Sequence, residues 1–141
     1  MADPYALAAA DPVSAILAWL SEHPKVTEVL GGPGHVSGLA EAPWPHLVVS
    51  HGPGGDMRQL RWAAQPDVTL EVYGDPGGWP GSAELRRITL VCALAAQEVV
   101  DADPQPAGPV ICGISWNSLV SSPLISGQPR WLIGASVTLH P

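Results

Sequence analysis

Apolar and polar positions alternate most regularly in the middle of the chain. In residues 68–73 (VTLEVY) every second side chain is aliphatic, which is the period of a strand with one buried face. The segment 74–81 (GDPGGWPG) ends this strand, because so many Gly and Pro residues neither continue a strand nor begin a regular helix. Ser82 is expected to cap a helix over 83–100. Its apolar residues recur at steps of three and four, which predicts one buried stripe: Leu85, Ile88, Cys92, Ala95 and Val99.

The flanking segments predict a second helix and further strands. Asp11 followed by Pro12 is a typical helix start, and this helix should end near His23 because Pro24 disfavours helical geometry in the residue before it. Residues 26–30 are interpreted as a short helical turn or a loop. Strands are predicted at 35–39, 47–52, 110–119 and 130–140.

This order of elements predicts an α+β fold. Consecutive strands with these spacings favour antiparallel pairing, with helices gathered on one side. We expect a mixed, mostly antiparallel sheet of four to five strands with two helices packed on one face. Residues 1–10 are expected to be a flexible N-terminal arm, and residues 11–141 a single domain, since a chain of this length favours one domain.

The connection from Gly52 to Pro66 is a candidate interface. A hairpin needs only about two to five connecting residues, so we interpret this longer segment as functional or mobile. It opens with Gly-Pro-Gly-Gly and then presents Arg58, Arg61 and Trp62. Because Arg and Trp are enriched in interface hot spots, these three residues are predicted to contact a neighbouring subunit or partner.

The chain has six tryptophans and no phenylalanine. Trp62 and Trp79 lie in loops, where a tryptophan either anchors a partner or covers the edge of the domain's own core, and both interpretations stay open. Trp44 is expected to be such a cover. The other three fall in regular elements and are expected in or beside the core: Trp19, Trp116 and Trp131.

Two arginines near the start of the long helix add to the candidate interface. Arg86 and Arg87 lie where the helix dipole disfavours cations. We interpret them as contacts for an acidic partner such as a neighbouring subunit. The alternative is a surface pair without a binding role.

Composition excludes several functions. The chain carries 6 basic and 13 acidic residues, a net charge of −7, whereas nucleic-acid binding depends on cations that neutralise phosphates. A 46% hydrophobic content argues against disorder, and no apolar run is long enough to span a membrane. The first residues have no basic region and are not expected to form a signal peptide, so the protein should stay in the cytoplasm where it is made.

No motif indicates catalysis, a cofactor or a metal. The turn before Ser82 lacks the lysine of a phosphate-binding loop, and His46 and His51 fall on opposite faces of one strand, so they cannot chelate one ion together. Carboxylates are dispersed, with no acid/base pair. Cys92 and Cys112 are expected to be small buried side chains that lie close together.

The sequence resembles the tail terminator proteins of long-tailed phages (siphoviruses), especially those of actinobacterial hosts. The resemblance covers most of the chain and rests on five stretches taken in order: DPVSAILAWL, APWPHLVVSHGPGG, VTLEVYG, SAELRRITLVCALAA and GQPRWLIGASVTLHP. The length of the chain and the order of its elements are also similar to those of the family, although no single stretch is diagnostic.

The resemblance implies a structural role without enzyme activity. Such proteins form a hexameric ring that caps the tail tube, stops its polymerisation and joins the tail to the head connector. The implied partners are other copies of the chain, the major tail tube protein and the connector or stopper protein. DNA would pass through the ring without specific binding, and the protein would reside in the tail or neck of the virion after assembly in the host cytoplasm. Alternatives are another neck protein, such as the stopper, and a small cytoplasmic enzyme.

Overall fold

Two α-helices lie in the first thirty residues of the chain. The computed structural model describes residues 5–8, 10–58, 60, 62–105 and 110–140. Helix α1 (Pro12–Glu22) starts as predicted, with the Val13 amide donating to Asp11 Oδ1 at 3.0 Å. Helix α2 (Pro24–Leu30) follows at once and ends at Gly31, whose φ of 102° suits glycine. The described residues therefore contain three α-helices rather than two, because the segment left open as a turn or loop is helical.

Within the described residues, five strands form one sheet. The strands are β1 (Val36–Ser37), β2 (His46–Asp56), β3 (Gln65–Tyr73), β4 (Val110–Ser121) and β5 (Arg130–His140). Their order in the sheet is β1-β2-β3-β5-β4. The first pair is parallel and the other pairs are antiparallel, and the helices pack on one face. This confirms the predicted α+β class with a mixed, mostly antiparallel sheet.

Helix α3 (Ser82–Gln97) lies across the sheet and continues into the 3-10 turn Glu98–Asp101. Its predicted apolar stripe is buried, with Leu85 and Cys92 both 0% exposed. The predicted cap is wrong: Gly81 occupies the capping position, and Ser82 is the first helical residue. The Ser82 hydroxyl instead accepts a hydrogen bond from the Trp131 indole at 3.1 Å, an interaction with β5 that local sequence does not reveal.

Three tryptophans on other elements of the domain form hydrogen bonds with α3. All three are half-buried and pack against the core, as predicted. Each indole N–H, which has to find an acceptor when it is buried, donates to a residue of α3. The pairs are Trp19 with the Ala95 carbonyl at 2.8 Å, Trp116 with Gln97 Oε1 at 3.0 Å, and Trp131 with Ser82 Oγ.

The Gly-rich start of the predicted long connection is part of strand β2. Gly55 pairs with Pro66 after a shift of register beyond His51. A Cβ on Gly52 would lie 2.5 Å from the Cβ of Asp67, and one on Gly55 would lie 2.5 Å from the Gln65 carbonyl oxygen. These glycines therefore let two strands approach closely through a bulge. The prediction that the chain leaves the sheet at Gly52 is wrong, and the loop itself is limited to residues 57–64.

A second shift of register separates the two cysteines. Pairing of β4 with β5 shifts between Ile111 and Gly113. Cys112 is consequently exposed and donates weakly to the Thr138 carbonyl at 3.5 Å, while Cys92 lies in the core. The expectation that both thiols are buried close together is wrong, because alternation from Val110 onward does not survive the shift.

The predicted N-terminal arm is described in part. Ala6–Ala8 forms a 3-10 turn, and Leu7 is 7% exposed and belongs to the core. Residues 1–4 and 9 lie outside the described residues, so the flexibility of 1–10 stays a prediction. None of the helices in the described ranges is long and apolar enough to cross a membrane.

Candidate subunit interface

The predicted interface residues form two groups at opposite ends of the sheet. Arg58 and Trp62 lie in the loop between β2 and β3, at the end of the sheet where β3 begins. Trp79, Arg86 and Arg87 lie after the last residues of β3, in the turn before α3 and in its first turns. The nine residues of β3 separate the two groups by about 26 Å, at ~3.3 Å per residue. Arg61, the sixth predicted residue, lies outside the described residues.

The first group is the hairpin tip, defined by the described residues 57, 58, 60 and 62–64. Met57, Leu60 and Trp62 are 43%, 47% and 67% exposed, so apolar side chains are concentrated here on the surface. The Arg58 guanidinium is held by Asp56, with Nε 3.0 Å from Oδ1 and Nη2 2.7 Å from Oδ2. These hydrogen bonds lower the pKa of Asp56 to about 2. Asp56 therefore holds Arg58 in a loop that also exposes apolar residues, a combination that interface hot spots favour.

The second group is the helix-start patch, defined by Trp79, Arg86 and Arg87. Trp79 is 62% exposed and lines a groove between α2 and the start of α3. Arg87 donates to Glu84 one turn earlier, with Nε 3.1 Å from Oε1, and these hydrogen bonds lower the pKa of Glu84. Arg87 thus has an acidic partner within its own helix. Among the described residues, no hydrogen bond or ion pair reaches the exposed guanidinium of Arg86.

The structure also exposes apolar residues that the sequence analysis did not single out. Leu94 is 70% exposed on the outward side of α3, and Ile125, in the turn between β4 and β5, is fully exposed. The position of Leu94 could have been inferred from the sequence. Arg87, Leu90 and Leu94 follow one another at steps of three and four, so they form a second row on the helix beside the buried stripe. The position of Ile125 could not be inferred in this way, since a single apolar residue in a turn is common on protein surfaces.

The edge of the sheet near β1 contains a buried histidine rather than a group of metal-binding residues. His46 is 0% exposed, and its Nε2 lies 2.7 Å from the Ser37 hydroxyl. Burial lowers the pKa of His46. Trp44 is half-buried with its ring centroid 6.3 Å from that of His46, in agreement with its expected role as a cover. Within the described ranges, no group of three or more His, Cys, Asp or Glu residues is placed to hold a metal ion.

Comparison with solved structures finds the same fold in a virus-like particle. The chain is similar to a chain in the structure "Virion of native gene transfer agent (GTA) particle", with a TM-score of 0.62 and 18% sequence identity. The match covers 97% of this chain and 99% of that chain, so the two share a fold over their whole lengths. No family model matches the sequence, and no curated protein matches it.

Proposed function

We propose that this chain is a structural, non-catalytic virion protein that acts as a tail terminator. It forms a ring on the completed tail tube, ends tube polymerisation and joins the tail to the head connector. The observation that carries this proposal is the fold shared, end to end, with a chain of a gene transfer agent virion. The resemblance of five stretches of sequence to tail terminators narrows the virion role to this one.

The two exposed groups support assembly into a ring. The hairpin tip and the helix-start patch lie at opposite ends of β3 and differ in sequence and shape. A contact between two different surfaces of the same chain is heterologous, and its repetition closes into a ring when the rotation between copies allows it. In the proposed homo-hexamer, the end of one copy that carries Trp62 meets the end of the next copy that carries Trp79.

Surface charge supports passage of DNA without specific binding. The chain has more than twice as many acidic as basic residues, 13 against 6. On β3, Asp67 and Glu71 alternate with the buried valines and leucine, so they face away from the helices. Arg130 on β5 is engaged by the Ser122 carbonyl at 2.8 Å and by the ring of Tyr73. Such a surface repels phosphate, which would let DNA slide through the ring.

Removal of the gene tests the assignment to the tail. Particles that lack this chain should still make heads and tube protein, but their tubes should grow beyond normal length and fail to join heads. Electron microscopy of the lysate measures both outcomes. Tails of normal length that do not join heads would contradict a terminator and favour a head-side neck protein such as the stopper.

A substitution in the hairpin tip tests the proposed interface. Trp62→Ala should leave the melting temperature nearly unchanged, since substitutions of exposed residues usually cost within about 0.5 kcal/mol. It should abolish capping of tube ends, because a tryptophan anchor contributes roughly 2 kcal/mol or more to an interface. Trp131→Ala is the matched control: it removes a tryptophan packed against the core and bonded to Ser82, and should lower the melting temperature. Normal capping by Trp62→Ala would exclude the hairpin tip from the interface.

A further inference from the structure

An open groove lies where the end of α3 meets the junction of α1 and α2. Its volume is about 500 Å³, enough for a large side chain and its neighbours. Ala18, Trp19 and Pro24 supply apolar walls, and Glu22, Glu98 and Asp101 supply carboxylates. The lining therefore combines apolar side chains with carboxylates.

The groove contains more carboxylates than there are cations close to it. His23 Nε2 contacts Glu98, whereas no hydrogen bond or ion pair reaches the carboxylates of Glu22 and Asp101 within the described residues. Lys25, one residue beyond the groove on α2, is the adjacent cation in the sequence. A wall that contains a tryptophan, beside carboxylates, suits an arginine side chain, whose planar cation stacks on aromatic rings and pairs with carboxylates.

One arginine of the same chain has the charge and the exposure to enter such a groove in another copy. Arg86 is exposed and has no ion-pair partner among the described residues. It lies near the start of α3, twelve residues before Glu98, which is about 18 Å along the helix at 1.5 Å per residue. This distance exceeds the length of an arginine side chain, so Arg86 cannot reach the groove of its own copy.

We propose that the groove between α1, α2 and the end of α3 receives Arg86 from a second copy of this chain. The two charges are complementary, and the two surfaces lie at opposite ends of α3, so the contact is head-to-tail. This inference rests on the proposed ring and names a contact between its neighbouring copies. It also gives Arg86 and Arg87 different roles, since Arg87 is held by Glu84 of its own helix.

Charge reversal and mixing test the contact. Arg86→Glu and Asp101→Arg should each keep the melting temperature, because both positions are exposed. Each variant alone should form rings on tail tubes on the order of tenfold less well, or worse. An equimolar mixture of the two should recover assembly, because every groove receives a side chain of opposite charge where the two variants alternate around the ring. Arg87→Glu is the control: mixing it with Asp101→Arg should not recover assembly of rings.

The outcomes separate this contact from the ring itself. If the Arg86→Glu protein forms rings on tube ends as well as the wild type does, the proposed contact is overturned and the terminator role is left intact. Loss of assembly with Asp101→Arg alone, while Arg86→Glu assembles normally, would show that the groove takes another partner and would also overturn it. Failure of the mixture to recover assembly would likewise overturn the proposed contact.

Disulfide trapping measures the contact without relying on tubes. In a Cys112→Ser background, Arg86→Cys and Asp101→Cys proteins are mixed under mild oxidation. Cys92 does not interfere, because burial raises the pKa of its thiol to about 12. A dimer that joins one copy of each variant should clearly exceed its statistical yield from random pairing, even if wild-type protein were found to ignore tubes. Dimers in the proportions of random pairing would overturn the proposal.

Discussion

Leu85 and Leu94 lie on the same helix, α3, in opposite environments. Leu85 is 0% exposed and Leu94 is 70% exposed. We expect Leu85→Ala to lower the free energy of unfolding strongly and Leu94→Ala to leave it nearly unchanged. The pair isolates burial, because the chemical change and the type of secondary structure are the same at both positions.

The burial of Leu85 sets the size of the effect. Complete burial of a leucine contributes about 1.5–3 kcal/mol, and the cavity left beneath α3 adds to the loss, so Leu85→Ala should cost about 2–5 kcal/mol. Leu94→Ala should change stability by less than about 0.5 kcal/mol, since both residues favour helices. For a chain of this size, each ~1 kcal/mol lowers the melting temperature by roughly 3–6 °C.

Urea unfolding followed by tryptophan fluorescence measures both variants. The midpoint should fall for Leu85→Ala while the dependence of free energy on urea stays the same, which indicates lost stability rather than a changed transition. Equal losses at the two positions, or a loss below about 1 kcal/mol at Leu85, would refute the assignment of α3 as the helix that buries this stripe against the sheet.

Three further predictions concern a histidine, the cysteines and a glycine. Burial lowers the pKa of His46 from its ordinary 6.5, so the unfolded chain binds a proton that the folded chain resists, and stability should fall as pH drops below about 6.5. Urea unfolding at about pH 7.5 and about pH 5.5 measures this loss, and His46→Gln should reduce it. Iodoacetamide should modify Cys112 in the native protein and Cys92 only in denaturant, as mass spectrometry would show; native modification of Cys92 would contradict its burial. Gly52→Ala should destabilise the protein more than Gly38→Ala, because its new Cβ would lie 2.5 Å from the Asp67 Cβ while that at Gly38 meets no atom within 4 Å.

The candidate interface could be predicted only in part. Arg58 and Trp62 were predicted as interface residues because a mixture of charged and aromatic residues in a loop has little reason to be buried. The exposure of Trp62 agrees with that reason. The pairing of Arg87 with Glu84 was not predicted, although their spacing of three residues is one at which side chains of a helix meet. The acidic groove was not predictable, since contacts such as that between His23 and Glu98 join residues 75 positions apart.

Local periodicity determined most of the secondary structure of this protein. The alternation at 68–73 and the steps of three and four after Ser82 express which face of each element is buried, and that preference is written in neighbouring residues. Tertiary structure decided what depends on distant partners. Gly52 became part of a strand because Asp67 approaches it, and the Ser82 hydroxyl accepts a hydrogen bond from the Trp131 indole because β5 packs beside α3. Bulges and long-range hydrogen bonds are set by the pairing of strands far apart in the chain, which no local pattern encodes.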